Sequence, residues 1–214
     1  MIDRPPEFDA AFQEKLTTLF LWRRDVRHFR PDPVDPDLLR HLLEIAALAP
    51  SVGNSQPWRF VQVQDAARRA KVVANFEQAN AEALADYKGE QAKLYAALKL
   101  AGLKEAPVHL AIFCDEGTAQ GHGLGRRTMP EMLDYSAVMA VYGFWLAARA
   151  HGLGAGWVSI LDPAAVCRDL DVPAAWRLIA YLCVGFPAED HIDPELERRG
   201  WEHRRPAGDF IVRR

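Results

Sequence analysis

The sequence predicts one domain of the α/β or α+β class, with helices packed about a modest sheet, on three observations. Half of its 214 residues are hydrophobic, enough to bury one substantial core. Apolar residues recur at helical spacing in some stretches and as short β-rich runs in others, in the order α, α, β, α, α, β, α, β, α, β. No repeat, low-complexity tract or interdomain linker interrupts that order, so residues 1–214 read as a single domain.

Phe12, Leu16, Leu19, Phe20 and Trp22 predict a helix over 9–22 that delivers the chain to the basic cluster RRDVRHFR at 23–30, placed at the helix end or just beyond it. Pro31, Pro33 and Pro36 then break regular structure. Asp35 and Pro36 form an N-cap and N1 pair for a second helix carrying Leu38, Leu39, Leu42, Leu43 and Ile45, and Pro50 ends it. The segment APSVGNSQPW, 49–58, is a loop, and WRFVQVQ, 58–64, is a strand. Residues 66–101 are helix-rich and broken around Gly89, with Tyr87, Tyr95 and Leu98 as inward anchors. A second strand follows at PVHLAIFC, 107–114. The polar, Gly-rich loop GTAQGHGLGRRTMPEM comes next, and its 117–125 part is a lid candidate.

Met132 to Ala148 is the most apolar stretch, yet it contains Asp134, Ser136 and Gly143 and falls short of the roughly 20 residues of a membrane span. It is a core helix. A strand at GWVSIL (156–161), a short helix from Asp162 and Pro163 to about Leu170, and a strand at WRLIAYLCVGF (176–186) complete the order. The tail from Pro187 has little apolar periodicity, although Trp201 and Phe210 are suited to dock on another surface.

Composition excludes several functions. A net charge of −3 argues against a nucleic-acid coat, which needs a clear excess of Lys and Arg on one face. The amino terminus MIDRPPEFDAAF lacks the basic-then-apolar order of a secretory signal, and a cytoplasmic protein without a membrane segment is expected. Cys114, Cys167 and Cys183 are odd in number and set in apolar surroundings, as reduced structural thiols are. Seven histidines form no H-x-x-x-H or H-E-x-x-H pair, so no metal site is expected. Ser159 lacks a G-x-S-x-G elbow, which removes a hydrolase triad.

Three constellations remain. Arg23, Arg24 and Arg27 lie within five residues and concentrate donors suited to phosphate oxygens; a solvated basic turn is the alternative. Asp25 sits among them, where positive charge favours its ionised form and a structural salt bridge is the default. Ser51, Gly53, Asn54, Ser55 and Gln56 offer polar groups and backbone amides to the edge of a heteroaromatic ring, or form an ordinary helix-to-strand turn. Gly152, Gly154 and Gly156 permit close backbone approach to a flat ligand, or cap a helix and turn. They are not a dinucleotide fingerprint, because they follow a helix and precede a strand.

Together, RRDVR at 23–27, APSVG at 49–53, QPW at 56–58, GWVSI at 156–160 and PELERRGW at 194–201 resemble the nitroreductase superfamily from about residue 12 to 201. Within it they resemble the BluB-type 5,6-dimethylbenzimidazole synthases, with Asp25 standing where the flavin reductases usually carry a small residue. The resemblance implies an α+β, nitroreductase-like fold, a central mixed sheet flanked by helices, and a domain-swapped homodimer whose C-terminal tail, about 187–214, packs on the partner subunit. It implies that Arg23, Arg24, Asp25, Val26, Arg27, Ser51 and Ser159 hold FMN, Ser51 reaching it from the other subunit, and that Asp25 and Ser159 are catalytic. The implied reaction consumes reduced FMN (FMNH2) and O2 and releases 5,6-dimethylbenzimidazole, the lower ligand of cobalamin, with erythrose 4-phosphate. A separate NAD(P)H flavin reductase supplies the FMNH2. An NAD(P)H-dependent nitroreductase that keeps its FMN and a non-catalytic flavin binder remain as alternatives.

Overall fold

Four strands form the sheet that organises the chain, in a computed structural model that describes residues 5–97 and 102–214. They are β1 (Trp58–Gln62), β2 (Val108–Asp115), β3 (Gly154–Val158) and β4 (Trp176–Gly185), in spatial order β1-β2-β4-β3. Every ladder between them is antiparallel. The parallel component is a single isolated bridge between Asp25 and Ala155, on the outer edge of β3. An edge strand offers unpaired backbone groups, and the 23–30 segment covers them here.

The helices follow from their caps and spacing. In α1 (Ala10–Trp22) the Asp9 carboxylate accepts from the Phe12 N–H. α2 (Pro36–Ala46) starts with Asp35 accepting from the Asp37 N–H and Pro36 in its first turn, and buries Leu39, Leu42 and Ala46. α3 (Ala66–Asp86) and α4 (Gly89–Ala97) break at Gly89, whose φ is +61°. Tyr87 and Tyr95 stack at 4.7 Å, while Leu98 lies outside the described residues. α5 (Gly102–Glu105) is a short turn before β2.

The apolar stretch is α6 (Met132–Ala150), which lays Ala137, Ala140, Val141, Phe144 and Ala148 on the sheet. With α2 and one face of β2 and β4 it makes the main core. A second core on the opposite face gathers Val72 of α3, Phe113, Tyr181 and Val166 of α7 (Pro163–Leu170). Asp162 caps α7 as expected, accepting from the Ala164 and Ala165 N–H groups. The tail forms one short α-helical turn, α8 (Glu195–Arg198), and a 3₁₀ turn at Ala207–Phe210. The thiols are free, and burial pushes those of Cys114 and Cys183 up to about 12, as inert structural cysteines require.

One expectation is corrected. β3 spans Gly154–Val158, not 156–161, so Gly154 and Gly156 are strand residues and Ser159 lies beyond the strand. The basic cluster lies just beyond the helix end, as expected: Arg23 caps α1 and leaves it extended, with φ −68° and ψ 117°. The Val26 N–H donates to the Ala155 carbonyl at 3.1 Å and the Arg30 N–H to the Phe186 carbonyl at 2.9 Å, so this segment runs as an irregular extra strand. Backbone partners on β3, which no local pattern encodes, outweigh helix continuation there.

Candidate functional site

The close approach of Val26 to β3 requires glycine. A Cβ on Gly156 would stand 2.1 Å from the Val26 carbonyl oxygen, and one on Gly154 would meet the Val26 side chain at 2.6 Å. These glycines therefore admit a neighbouring segment of their own chain rather than a flat ligand. The same proximity carries Asp25 to the strand edge, where Oδ1 accepts the Trp157 N–H at 2.8 Å. The carboxylate thus takes the place of a backbone carbonyl in the ladder.

Along an extended segment residues two apart share a side, so Arg27 follows Asp25. Arg27 Nε lies 3.5 Å from Asp25 Oδ2 and 3.7 Å from Glu195 Oε2. Arg23 lays its guanidinium 4.7 Å above the Trp145 ring, and the Trp145 Nε1–H donates to the Arg24 carbonyl at 3.1 Å. Among the described residues, the Nε atoms of Arg23 and Arg27 are both buried without a hydrogen-bond partner. Arg24 is engaged: Nε donates to the Ile192 carbonyl at 2.9 Å and Nη2 to the Leu21 carbonyl. Burial, then Arg204 and Arg23, lower its pKa.

Asp25 keeps 36% of its side-chain surface open, toward a narrow cavity of about 40 Å³. Burial raises its pKa above the ordinary aspartate value, against the Trp157 N–H, Arg27 and Arg23, which lower it. Desolvation wins over the arginines, the reverse of what counting charges along the sequence suggests. An aspartate in this state is a better proton acceptor than a free one.

The remaining expected residues lie elsewhere in a single chain. Ser159 is exposed, two residues past the Trp157 that holds Asp25, and does not line its cavity. Ser51 precedes the 3₁₀ turn Val52–Asn54, where its hydroxyl accepts the Gln56 N–H at 3.0 Å. That loop is tied to the start of α6, the Val52 N–H donating to Ser136 Oγ at 3.0 Å, whereas Arg23 stacks on Trp145 near the helix end. Nine residues of helix, about 14 Å, separate the two anchor points. The lid candidate docks on the Ser51 loop: Gln120 donates to the Asn54 carbonyl at 2.8 Å, and a Cβ on Gly121 would lie 2.7 Å from the Gly53 oxygen. Trp145, Trp157 and Glu195 were not singled out from sequence; the PELERRGW motif contains Glu195 but gives it no role.

The family model described as the nitroreductase family matches residues 20–186. The chain belongs to the nitroreductase family. It is 60% identical to a 5,6-dimethylbenzimidazole synthase of Rhodospirillum rubrum over 94% of this chain and 95% of that protein. It is 49% identical to one of Rhodobacter capsulatus over 93% and 96%. Among solved structures, iodotyrosine deiodinase with FMN and 3-iodo-L-tyrosine bound aligns with a TM-score of 0.72 at 25% identity, covering 92% of this chain and 97% of that one. A nitroreductase family protein of Streptococcus pneumoniae aligns at 0.62 and 24% identity, covering 92% and 99%. Among the described residues no His, Cys, Asp or Glu cluster could hold a metal, and no helix is long and apolar enough to cross a membrane.

Proposed function

We propose that the chain is a 5,6-dimethylbenzimidazole synthase that binds FMNH2 and fragments it with O2 to 5,6-dimethylbenzimidazole and erythrose 4-phosphate. The observation that carries this is the pair of buried, unpartnered Nε atoms of Arg23 and Arg27 on either side of a half-buried Asp25 whose pKa desolvation raises. Buried donors without acceptors are costly, and phosphate oxygens would satisfy them. The residues present therefore fit FMN. The reduced flavin, when bound, supplies the electrons that O2 accepts.

Arg23 and Arg27 hold the phosphate and ribityl end; Val26, fixed against Ala155, sets the backbone beside it; Arg24 fastens the segment through the carbonyls of Leu21 and Ile192. Asp25 accepts a proton at the ribityl C1 carbon, with the Trp157 N–H orienting its free oxygen. Ser159 donates a hydrogen bond near the flavin N5 and C4a atoms.

A homodimer completes the site. The cavity beside Asp25 is too small for a flavin ring, so the ring lies outside it, on the open side, where a second chain can cover it. α1 buries no residue and exposes Phe12, Leu16 and Phe20, while α6 exposes Tyr135, Val138 and Met139 at helical spacing. Such exposed apolar stripes mark an interface. Ser51, remote from Arg23 in its own chain, then reaches the partner's flavin. Trp201 packs on Tyr87 and Tyr95 of its own chain at 5.7 and 6.3 Å, which leaves Phe210, Ile211 and Val212 exposed as the part of the tail offered to the partner subunit. FMNH2 comes from a separate NAD(P)H flavin reductase, in the cytoplasm.

The test is aerobic incubation of the purified protein with reduced FMN, followed by mass spectrometry for both products. Stoichiometric product that disappears in Asp25→Asn, with FMN affinity kept, is expected. Recovery of intact oxidised FMN under all conditions would return the protein to the flavin reductases.

A further inference from the structure

Arg27 is suspended between two carboxylates rather than bound to one. Its Nε sits 3.5 Å from Asp25 and 3.7 Å from Glu195, beyond hydrogen-bond reach of either, and makes no other hydrogen bond among the described residues. Glu195 is itself set in place: only 14% of its side chain is exposed, and its other oxygen lies 3.5 Å from Nε of Arg199, the residue that caps α8. The tail reaches this position because the 23–30 segment holds it, through Arg24 to the Ile192 carbonyl and through the Ala188 N–H to the His28 carbonyl.

We propose that Glu195 is a positioning residue that shares the Arg27 guanidinium with Asp25 and so keeps the aspartate from being captured in a tight salt bridge. The Glu195 carboxylate, 3.7 Å from Arg27 Nε, draws the guanidinium away from Asp25, weakening the one contact that most favours ionisation among the charged neighbours. Asp25 also faces Arg23 on its own segment, the Trp157 N–H on β3 and Cys183 on β4, and it shares its cavity with Arg24 and His28 of its segment and with Glu189, His191, Asp193 and Arg198 of the tail. Of the tail groups at this cavity, Glu195 is the one whose carboxylate comes within 4 Å of Arg27 among the described residues, and it pulls on Arg27 against Asp25. The PELERRGW motif thereby gains a role in the chemistry of a residue 170 positions earlier.

This inference rests on Asp25 acting as the base, and its test separates the two. In Glu195→Gln, Arg27 closes on Asp25, the aspartate loses proton affinity, and the acid limb of the rate profile moves about one unit lower in pH. The plateau rate falls about threefold, because a weaker base transfers the proton less readily. FMN affinity, read by flavin fluorescence quenching, stays the same or improves, since Arg27 is less neutralised. Glu195→Asp restores the limb. Independently of turnover, a carbon-13 NMR titration of the Asp25 carboxyl in flavin-free protein is expected to show the same downward shift in Glu195→Gln. An unshifted titration, or a loss of FMN affinity and melting temperature together with an unmoved acid limb, would overturn the proposal and leave Glu195 a structural anchor. A shifted titration in a protein that makes no 5,6-dimethylbenzimidazole would uphold the shared arginine while removing the synthase reading.

Discussion

Replacing Gly156 by alanine places a methyl group where the Val26 carbonyl already stands. The new Cβ would be 2.1 Å from that oxygen, and ordinary contact requires the two to separate by about 1.3 Å. Val26 cannot retreat that far and keep its N–H on the Ala155 carbonyl at 3.1 Å, nor can Asp25 keep the Trp157 N–H at 2.8 Å. A neutral backbone hydrogen bond contributes about 1 kcal/mol and one to a charged group about 2, so the loss is about 3 kcal/mol. In a chain of this size that lowers the melting temperature by about 10 °C. Gly152→Ala is the control from the same glycine run: its φ is +77°, but nothing lies within 4 Å of its Cβ, so it costs only about 1 kcal/mol of backbone strain. Gly154→Ala falls between, because it meets flexible Val26 and Pro187 side-chain atoms at 2.6 and 3.0 Å. Differential scanning calorimetry of the three variants, with FMN affinity alongside, checks the order. If Gly156→Ala melts no lower than Gly152→Ala, the wedge of Val26 against β3 does not hold Asp25.

Asp25 carries a raised pKa, so its ionisation opposes folding: its favourable contribution is complete below the ordinary aspartate pKa and is lost as pH rises through the folded value. Asp25→Asn is therefore expected to melt higher than the parent at pH 8, with the difference shrinking toward pH 4; a lower melting temperature at pH 8 would contradict this. His109 is buried with Nδ1 2.8 Å from the Tyr181 hydroxyl, and burial lowers its pKa to about 4. Its neutral form supports the fold above pH 6.5, and about 3 kcal/mol is lost as pH falls from there to 4. Denaturant titrations should show that loss, and it should largely vanish in His109→Gln. Phe20→Asp puts a charge in the exposed stripe of α1, and sedimentation is expected to show monomers that no longer bind FMN; an intact dimer would move the interface elsewhere.

Helices and strands were legible wherever periodicity or caps encode them locally: Asp35 with Pro36, Asp162 with Pro163, and the apolar runs of β2, β4 and α6. β3 was placed two residues late at its start and three late at its end because glycines carry no side-chain pattern; only the Val26 carbonyl above Gly156 explains them. The arginine cluster was legible as a site but not as an extended segment, since its conformation is set by backbone partners some 130 residues away. The direction of the Asp25 shift was not legible either. Neighbouring arginines can be counted from sequence, whereas desolvation depends on what packs around the carboxylate. Glu195 looked like one more charge on a polar tail, and nothing short of its distance to Arg27 distinguishes it.

The arginines also let substrate and base act on each other. In the free protein Arg27 and Arg23 are the charged groups that lower the Asp25 pKa. Phosphate oxygens on their unpartnered Nε atoms would neutralise the same two groups, and desolvation of Asp25 would then go less opposed. Asp25 should thus hold its proton more strongly in the complex than in the free protein. The pH profile of kcat/KM reports the free form and that of kcat the complex. The acid limb of kcat is therefore expected at higher pH than that of kcat/KM. The opposite order would mean that Arg23 and Arg27 keep their hold on Asp25 when flavin is bound, and that the phosphate is recognised by other residues.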